Sequence, residues 1–264
     1  QRVLGHGIRI DNWSRDNGAR ALVGLNNLEA SAIIAGTFTG SISISFAITA
    51  DVSFLKAIMG DEILESSTTR RYVPRKVPPT LSFALFLNNE KSVSVETLRG
   101  DAFFITGVVI SSAQFSIDEG NAVHVSLDCA YKTEKKIENL DIPNVESPEG
   151  QPFNYGMVNA YFWNPDSNVN DPSDFDSIEC TIQRLSFSIN HPAQLLKGIG
   201  RRVAKDRFFQ NITYNVSMSA VFKDSKKFLE RFYGCKTGPA NYVAPFEKVS
   251  IIIENFFRDA RHAK

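Results

Sequence analysis

Hydrophobic and polar residues alternate in short runs along much of this chain, and the runs are rich in β-branched and aromatic residues. Glycine, asparagine, aspartate and proline separate one run from the next. Period-two alternation places every second side chain on the same face of a strand, so each run predicts a half-buried β-strand. The sequence therefore predicts a mainly β protein. Eight strands are predicted, over residues 41–48, 80–87, 103–117, 122–131, 157–162, 178–189, 212–222 and 248–257.

Two short helices interrupt the predicted strands. Asp51 is placed to cap a helix over residues 52–59, because its side-chain oxygen can accept a hydrogen bond from the free N–H groups of the first turn. Gly60 follows, and glycine adopts the left-handed conformation that ends a helix at little steric cost. A second helix, over residues 225–233, is preceded by an aspartate and followed by a glycine in the same way.

The surroundings of these two helices are similar over a longer stretch. Residues 38–60 align without gaps on residues 212–234, and the strand around 81–85 corresponds to the one around 249–253. Any two amphipathic strand and helix units share some pattern by chance. Because the cap, the helix length and the closing glycine all agree, we favour a tandem duplication of one β-rich unit.

Two irregular stretches divide the chain. Residues 137–153 combine acidic residues with prolines and a glycine, which is typical of a linker, and residues 62–79 combine arginines with prolines. We therefore predict a first domain over residues 1–140, a linker over residues 141–153 and a second domain over residues 154–264.

Composition narrows the functional classes. The 264 residues include 29 Lys and Arg and 29 Asp and Glu, so the formal net charge is zero. A dedicated nucleic-acid-binding domain is usually strongly basic, so this balance argues against one. Hydrophobic residues make up 43% of the chain, which argues against a disordered protein. No run of about 18 apolar residues predicts a membrane-spanning helix. The three cysteines are widely spaced and include no CxxC pair, so we expect free thiols and no metal cage.

Sequence motifs for catalysis are absent. There is no HExxH, no GxSxG and no phosphate-binding GK[ST], and the glycines at 198 and 200 lack the third glycine of a dinucleotide loop. We therefore predict that the chain is not an enzyme and needs no cofactor or metal. The acidic run at 166–171 resembles the start of a calcium loop, but it has no glycine at the sixth position and no glutamate at the twelfth. A solvated turn is the favoured interpretation of that run.

One basic stretch, residues 197–207, carries five Lys and Arg against a single Asp. Such a stretch could contact phosphates, or an acidic surface on a neighbouring subunit, or simply be a solvated loop. The stretch has no aromatic side chain on which bases could stack, which argues further against nucleic-acid binding.

The combined pattern resembles the tail tube, or major tail, proteins of long-tailed bacteriophages, particularly their long form with two tandem tube domains. The resemblance is carried by TGSISISF at 39–46 leading into the first helix, and by IQRLSFSIN at 182–190 followed by the glycine-bearing loop and the strand at 212–222. It implies two tandem antiparallel domains of β-sandwich or β-barrel-like form, each with a short helix.

The resemblance also implies an assembly. Family members close their inner sheets edge to edge into rings, and a duplicated member is expected to form trimeric rings with pseudo-six-fold symmetry. Stacked rings enclose a bore that first holds the tape-measure protein and later conducts DNA during ejection. Tail terminator and baseplate proteins are further expected partners, and the protein is expected in the virion tail after assembly in the host cytoplasm. We expect small polar and acidic side chains along the bore.

Loop length and charge suggest which residues contact the next ring. The predicted contact residues are all arginines of the two basic loops: Arg70, Arg71, Arg75, Arg201 and Arg202.

Two alternative functions remain open at this point. A baseplate hub, distal tail component or secretion-system tube would have the same fold. A β-sandwich module that binds carbohydrate or a host surface would need exposed aromatic residues, for which Trp13, Tyr161, Phe162 and Trp163 are candidates. Core packing explains those four residues at least as well. A hydrolase would need a paired base and nucleophile, and no such pair is evident.

Overall fold

Antiparallel β-strands dominate the computed structural model of the chain, as the alternation predicted. The structure describes residues 4–23, 30–34, 36–49, 52–64, 70–75, 77–87, 98–142, 151–155, 158–163, 180–199, 201–222 and 250–255. Its first elements are β1 (His6–Asp16), β2 (Arg20–Val23), β3 (Ala30–Ile34), β4 (Thr39–Ala47), α1 (Leu55–Met59), β5 (Gly60–Leu64), β6 (Arg70–Pro74) and β7 (Leu81–Leu87). The later elements are β8 (Leu98–Asp118), β9 (His124–Tyr131), β10 (Thr133–Ile142), β11 (Val158–Trp163), β12 (Cys180–Asn190), β13 (Ala193–Leu196), β14 (Asp206–Phe209), β15 (Thr213–Phe222) and β16 (Ser250–Asn255).

All eight predicted strands are present, and their bounds differ from the predicted ones by a few residues. The structure corrects two predictions of irregular chain. The stretch at 62–79 contains most of a hairpin, in which β5 pairs with β6. The linker predicted from residue 137 begins later, because β10 continues to Ile142 in pairing with β8. Strands β5, β6 and β10 are strongly charged and lack clean alternation, so no period-two pattern in the sequence indicated them. The predicted domain boundaries themselves stay a prediction.

Two compact units make up the chain. The first comprises residues 1–115, 124–152 and 187–215, and the second comprises residues 116–123, 153–186 and 216–264. The main sheet has the strand order β1-β4-β9-β8-β12-β15, and β7 and β10 both pair with β8. Strands β8, β12 and β15 have residues in both units.

The core of the first unit follows directly from alternation. On β4 the side chains of Ile42, Ile44 and Phe46 are buried, whereas the intervening serines are not. Strand β9 pairs with β4 and contributes its own alternate residues, among them Leu127 and Tyr131, to the same buried layer. Burying one such side chain stabilises the fold by about 1.5–3 kcal/mol, so the layer is the main source of stability in this unit.

Helix α1 covers part of that layer. Its Ile58 is fully buried, and Phe54 just before it meets Phe46 edge to face, with ring centroids 5.6 Å apart. The helix is shorter than the predicted 52–59, and Asp51 lies outside the described residues, as does the second predicted helix at 225–233. Gly60 ends α1 as predicted: its φ is +117°, and its N–H donates to the carbonyl of Lys56.

The second unit has its own sheet, in which β11 pairs with β16. In the same unit, a short segment before β11 forms backbone hydrogen bonds with the turn between β8 and β9. The N–H of Val123 donates to the carbonyl of Phe153 at 2.7 Å, and both side chains are buried. On the surface of this unit, Arg184 forms an ion pair with Asp118.

The order of elements repeats along the chain. A strand, a two-stranded hairpin and a second strand occur as β1, β2–β3 and β4, and again as β12, β13–β14 and β15. The starts of β1 and β12 are 174 positions apart, and so are the starts of β4 and β15. This spacing equals the one between residues 38–60 and 212–234 in the sequence alignment, so the repeat extends further toward the N-terminus than the sequence indicated.

Cys129 on β9 is a buried thiol, and its chemistry is predictable. Burial, with a smaller effect from the adjacent Asp128 carboxylate, raises the pKa of Cys129 to about 12. The thiolate is the reactive form, so we expect iodoacetamide to leave Cys129 unmodified at pH 8 in the folded protein and to modify it in guanidinium chloride, as peptide mass spectrometry would measure. Rapid labelling of the folded protein would contradict this prediction.

The same shift has a consequence for stability. In the unfolded chain the thiol of Cys129 ionises near its ordinary value of 9.0. Between that pH and about 12 the unfolded state therefore binds fewer protons than the folded state. The contribution of Cys129 to stability is fully present below pH 9 and declines above it, by up to about 1.4 kcal/mol per pH unit.

Candidate functional site

Short polar side chains cover the outward face of the main sheet in the first unit. They occupy the alternate positions of β4, β9, β8, β12 and β15 whose neighbours lie on the core side of the sheet. We call this surface the serine-rich face. Its members are Ser41, Ser43, Ser45, Ser112, Gln114, Ser126, Asp128, Ser188, Asn190, Thr213 and Asn215.

Hydrogen bonds between and within strands connect members of the serine-rich face. The Ser43 hydroxyl donates to Asp128 Oδ1 at 2.7 Å. The Ser112 hydroxyl donates to Asn190 Oδ1 at 3.0 Å, and the Asn190 amide donates to the Ser188 hydroxyl at 3.2 Å. These donors are thus already engaged within the protein. Because its residues have short polar side chains, the face also carries few long or flexible groups.

A second carboxylate, Asp11 on β1, lies beside this face. Hydrogen bonds from Ser45 and then Arg9 lower the pKa of Asp11, so its charge persists below the usual range of an aspartate. Arg9 Nε lies 2.7 Å from Asp11 Oδ1. Together with Asp128, this residue gives the serine-rich face and its border two carboxylates.

The two edge strands of the main sheet differ in character. Strand β1 carries two register irregularities and several charged residues, including Arg9 and Arg15. Bulges and charges are the usual protection of an edge strand against pairing with another chain. Strand β15 has neither protection: it contains no charged residue over ten positions, and no described strand pairs with its outer edge.

Strand β15 also exposes apolar side chains. Tyr214, Val216 and Val221 are each more than half exposed. The Tyr214 hydroxyl lies 3.7 Å from the sulfur of Met59 at the end of α1, which places Tyr214 on the core side of the sheet. An uncharged, apolar and unprotected edge of this length is a surface for pairing with another strand.

The basic stretch proves to be the end of a hairpin formed by β13 and β14, whose strands the sequence analysis did not predict. We call residues 197–199 and 201–205 the basic tip. Lys197 donates from Nζ to the hydroxyls of Thr37 and Thr39, and the N–H of Phe38 donates to the carbonyl of Arg202 at 2.8 Å. The backbone of the tip is therefore held against the start of β4.

The base of the same hairpin is also anchored by contacts within the first unit. His191 is buried, and its Nδ1 lies 2.8 Å from the carbonyl oxygen of Ile58; because a carbonyl can only accept, Nδ1 carries the proton. The His191 ring packs against Phe209 with centroids 4.7 Å apart. Arg207 donates to the carbonyl of Pro78 at 2.8 Å. His191 therefore has a structural role in this arrangement.

The structure places the five predicted contact arginines in two separate regions. Arg201 and Arg202 are exposed on the basic tip, and no ion pair joins either of them to another described residue. Arg75 follows β6 and forms an ion pair with Asp61 at 3.1 Å. Arg70 and Arg71 lie on β6, and their side chains are outside the described part of the structure.

Among the aromatic residues proposed for a carbohydrate site, Trp13 is packed within the protein. Its ring lies edge to face against Phe103 at 4.9 Å, and the Arg15 guanidinium lies 4.0 Å above it. Trp13 Nε1 donates to the Tyr131 hydroxyl, which donates to Glu134. Burial and the hydrogen bond to Glu134 raise the pKa of Tyr131. The side chains of Tyr161, Phe162 and Trp163 are outside the described residues.

The described residues can also be compared with the requirements of a metal site and of a membrane-spanning helix. Within the described ranges, no group of three or more His, Cys, Asp or Glu side chains is arranged to hold a metal ion. The calcium-like run at 166–171 is not covered by those ranges. Of the helices that the structure describes, none has the length and apolar character to cross a membrane.

The family model described as phage tail tube protein matches residues 15–260, which is nearly the whole chain. No curated protein matches the sequence.

Proposed function

Because the chain belongs to the phage tail tube protein family and is thus a structural component of the virion tail, we propose that it assembles into stacked rings that form the tail tube. The proposed ring is a trimer with pseudo-six-fold symmetry. The repeated order of elements, with its constant spacing of 174 positions, supports this stoichiometry because each subunit then contributes two copies of one strand–hairpin–strand pattern.

The observation that carries the proposal is the unprotected edge of β15. In a ring, that edge pairs with a strand of the next subunit. A contact between two different surfaces is heterologous and closes only when the rotation completes a circle. Pairing covers the exposed edge of β15 and buries Tyr214, Val216 and Val221, which are costly to leave in water.

The serine-rich face lines the bore in this proposal. The bore holds the tape-measure protein during assembly and conducts DNA during ejection. The tape-measure protein and DNA must both slide along the bore, so a wall of short side chains that hydrogen-bond to one another is favourable. Asp128 and Asp11 repel the phosphate backbone, and the charge of Arg9 is offset by its ion pair with Asp11.

The five contact arginines remain our proposed ring-to-ring residues: Arg70, Arg71, Arg75, Arg201 and Arg202. Support differs among them. Arg201 and Arg202 are exposed on a rigidly held loop, whereas Arg75 must exchange or share its contact with Asp61. Tail terminator and baseplate proteins are proposed to bind the two ends of the tube, and assembly is proposed to occur in the host cytoplasm. None of these roles needs a catalytic group, a cofactor or a metal.

A baseplate hub, distal tail component or secretion-system tube protein is the second candidate, because the same edge pairing would build an isolated ring. A carbohydrate-binding module is less favoured, since Trp13 is engaged by Phe103, Arg15 and Tyr131 and is not free to stack on a sugar.

Electron microscopy of the purified protein tests the proposal. We expect long tubes of regular pitch, with β15 paired across subunits and Ser43 and Asp128 facing the bore in a three-dimensional reconstruction. Isolated rings that do not stack would favour the hub. A protein that stays monomeric at high concentration would overturn the proposal.

A further inference from the structure

The basic tip has the properties of a docking surface. Four cations lie within it, and its backbone is held by hydrogen bonds to Phe38, to Leu196 and to the side chain of Lys132. Ile199 is fully exposed at its end, and Val203 is partly exposed. A loop whose backbone is already ordered loses little entropy on binding. Exposed apolar residues beside cations that form no ion pair with another described residue indicate a partner that is both acidic and partly apolar.

The sequence contains one segment with the complementary character. Residues 165–177 carry four aspartates and no Lys or Arg, together with Val169 and Phe175. This acidic segment lies between β11 and β12 in the chain and outside the described residues. In the proposed tube, the serine-rich face and the edge strand β15 have roles, but the acidic segment has none.

We propose that the basic tip binds the acidic segment 165–177 of a neighbouring copy of the chain. The proposal rests on the self-assembly proposed above and names its charged contact. In this contact the four positive charges of the tip face the four negative charges of the segment. The net charge of the whole chain is zero, but these two segments are strongly charged and of opposite sign. Each copy offers one tip and one segment, so the contact repeats from copy to copy as a heterologous assembly requires.

The chemistry predicts a salt-sensitive contact. Exposed ion pairs are individually weak and are screened by salt, so the contact gains strength from its repetition around the ring. Ile199 and Val203 add apolar area opposite Phe175 and Val169.

Charge reversal tests the proposal. One variant combines Arg201→Glu with Arg202→Glu, and the other combines Asp171→Lys with Asp174→Lys. We expect each variant alone to raise the critical concentration for tube formation about 10-fold or more, because the two reversals bring the net charge of the tip, or of the segment, from four to zero. A 1:1 mixture should form tubes again, because the unchanged tip of one variant then meets the unchanged segment of the other, and the introduced glutamates meet the introduced lysines. A control that combines Lys56→Glu with Lys135→Glu changes the net charge by the same amount as the arginine variant, on exposed residues elsewhere, and should assemble normally.

Other outcomes overturn the proposal in distinguishable ways. If the mixture fails but a single chain carrying all four changes assembles, the contact lies within one chain. If both variants assemble like the wild type, the tip has no acidic partner, and the tube function stands. If the wild-type protein forms no tubes, the proposed function fails, and binding of a labelled peptide of residues 164–178 decides the docking separately. We expect fluorescence anisotropy to show binding to the wild-type protein and at least 10-fold weaker binding to the Arg201→Glu, Arg202→Glu variant; equal binding would overturn the proposal.

Discussion

Val216→Lys prevents the purified protein from forming tubes while the subunit stays folded. Val216 is 51% exposed on β15, so a lysine there disturbs little of the subunit itself. In the ring, the same position is buried where the neighbouring strand pairs, and the ammonium group would lose its water there. Charged residues on edge strands are a natural means of preventing such pairing. We expect the critical concentration for assembly to rise at least about 100-fold, as sedimentation and negative-stain microscopy would measure.

A matched control separates this effect from a general effect of charge. Val77 lies between β6 and β7 and is 49% exposed, so Val77→Lys makes the same change at the same exposure away from the edge. We expect Val77→Lys to form tubes and both variants to retain the circular dichroism of the wild type. Normal tubes from Val216→Lys would show that β15 is not the pairing edge, and an unfolded Val216→Lys subunit would be evident from its spectrum.

Gly40→Ala destabilises the subunit by about 3 kcal/mol, the upper end of what overpacking usually costs. Gly40 is opposite Tyr131 in the pairing of β4 with β9, and the Tyr131 ring lies directly over the glycine. An added Cβ would be far inside van der Waals contact with three ring carbons. The ring cannot move away easily, because Tyr131 is fully buried and its hydroxyl is hydrogen-bonded to Trp13 and Glu134.

Urea denaturation of unassembled protein measures this effect. Gly120→Ala is the control: Gly120 has a φ of +77° but no atom near the position of an added Cβ, so it isolates the backbone cost of about 1 kcal/mol. Tyr131→Ala removes the obstructing ring, so the double variant Gly40→Ala, Tyr131→Ala should lose less stability than the sum of the two single variants. Strict additivity would show that the two residues do not compete for space.

The membership of the serine-rich face illustrates how sequence and structure contribute to a site. The alternation in TGSISISF predicts that Ser41, Ser43 and Ser45 share one face of a strand, because successive side chains point to opposite faces. It does not predict that Asp128 lies opposite Ser43, since that pairing joins residues 85 positions apart. The sequence thus predicted the kind of side chains on the face, and the sheet order decided which of them meet.

The contact arginines illustrate the same division. Charge and glycine content predicted an exposed basic loop, and Arg201 and Arg202 are indeed exposed. The sequence did not indicate that Lys197 is held by Thr37 and Thr39, or that Arg75 is paired with Asp61. Those contacts depend on how distant segments approach each other, which no local pattern encodes.

By itself, the sequence determined the β-rich class, the buried and exposed faces of strands such as β4 and β9, the end of α1 at Gly60 and a repeat with a spacing of 174. These are local properties of side-chain period and backbone sterics. Only the tertiary structure decided which strands neighbour each other, that the charged segments of β5, β6 and β10 are strands, and that β15 rather than β1 is the unprotected edge. These features arise from hydrogen bonds between distant segments, whose partners are selected by the packing of the whole sheet.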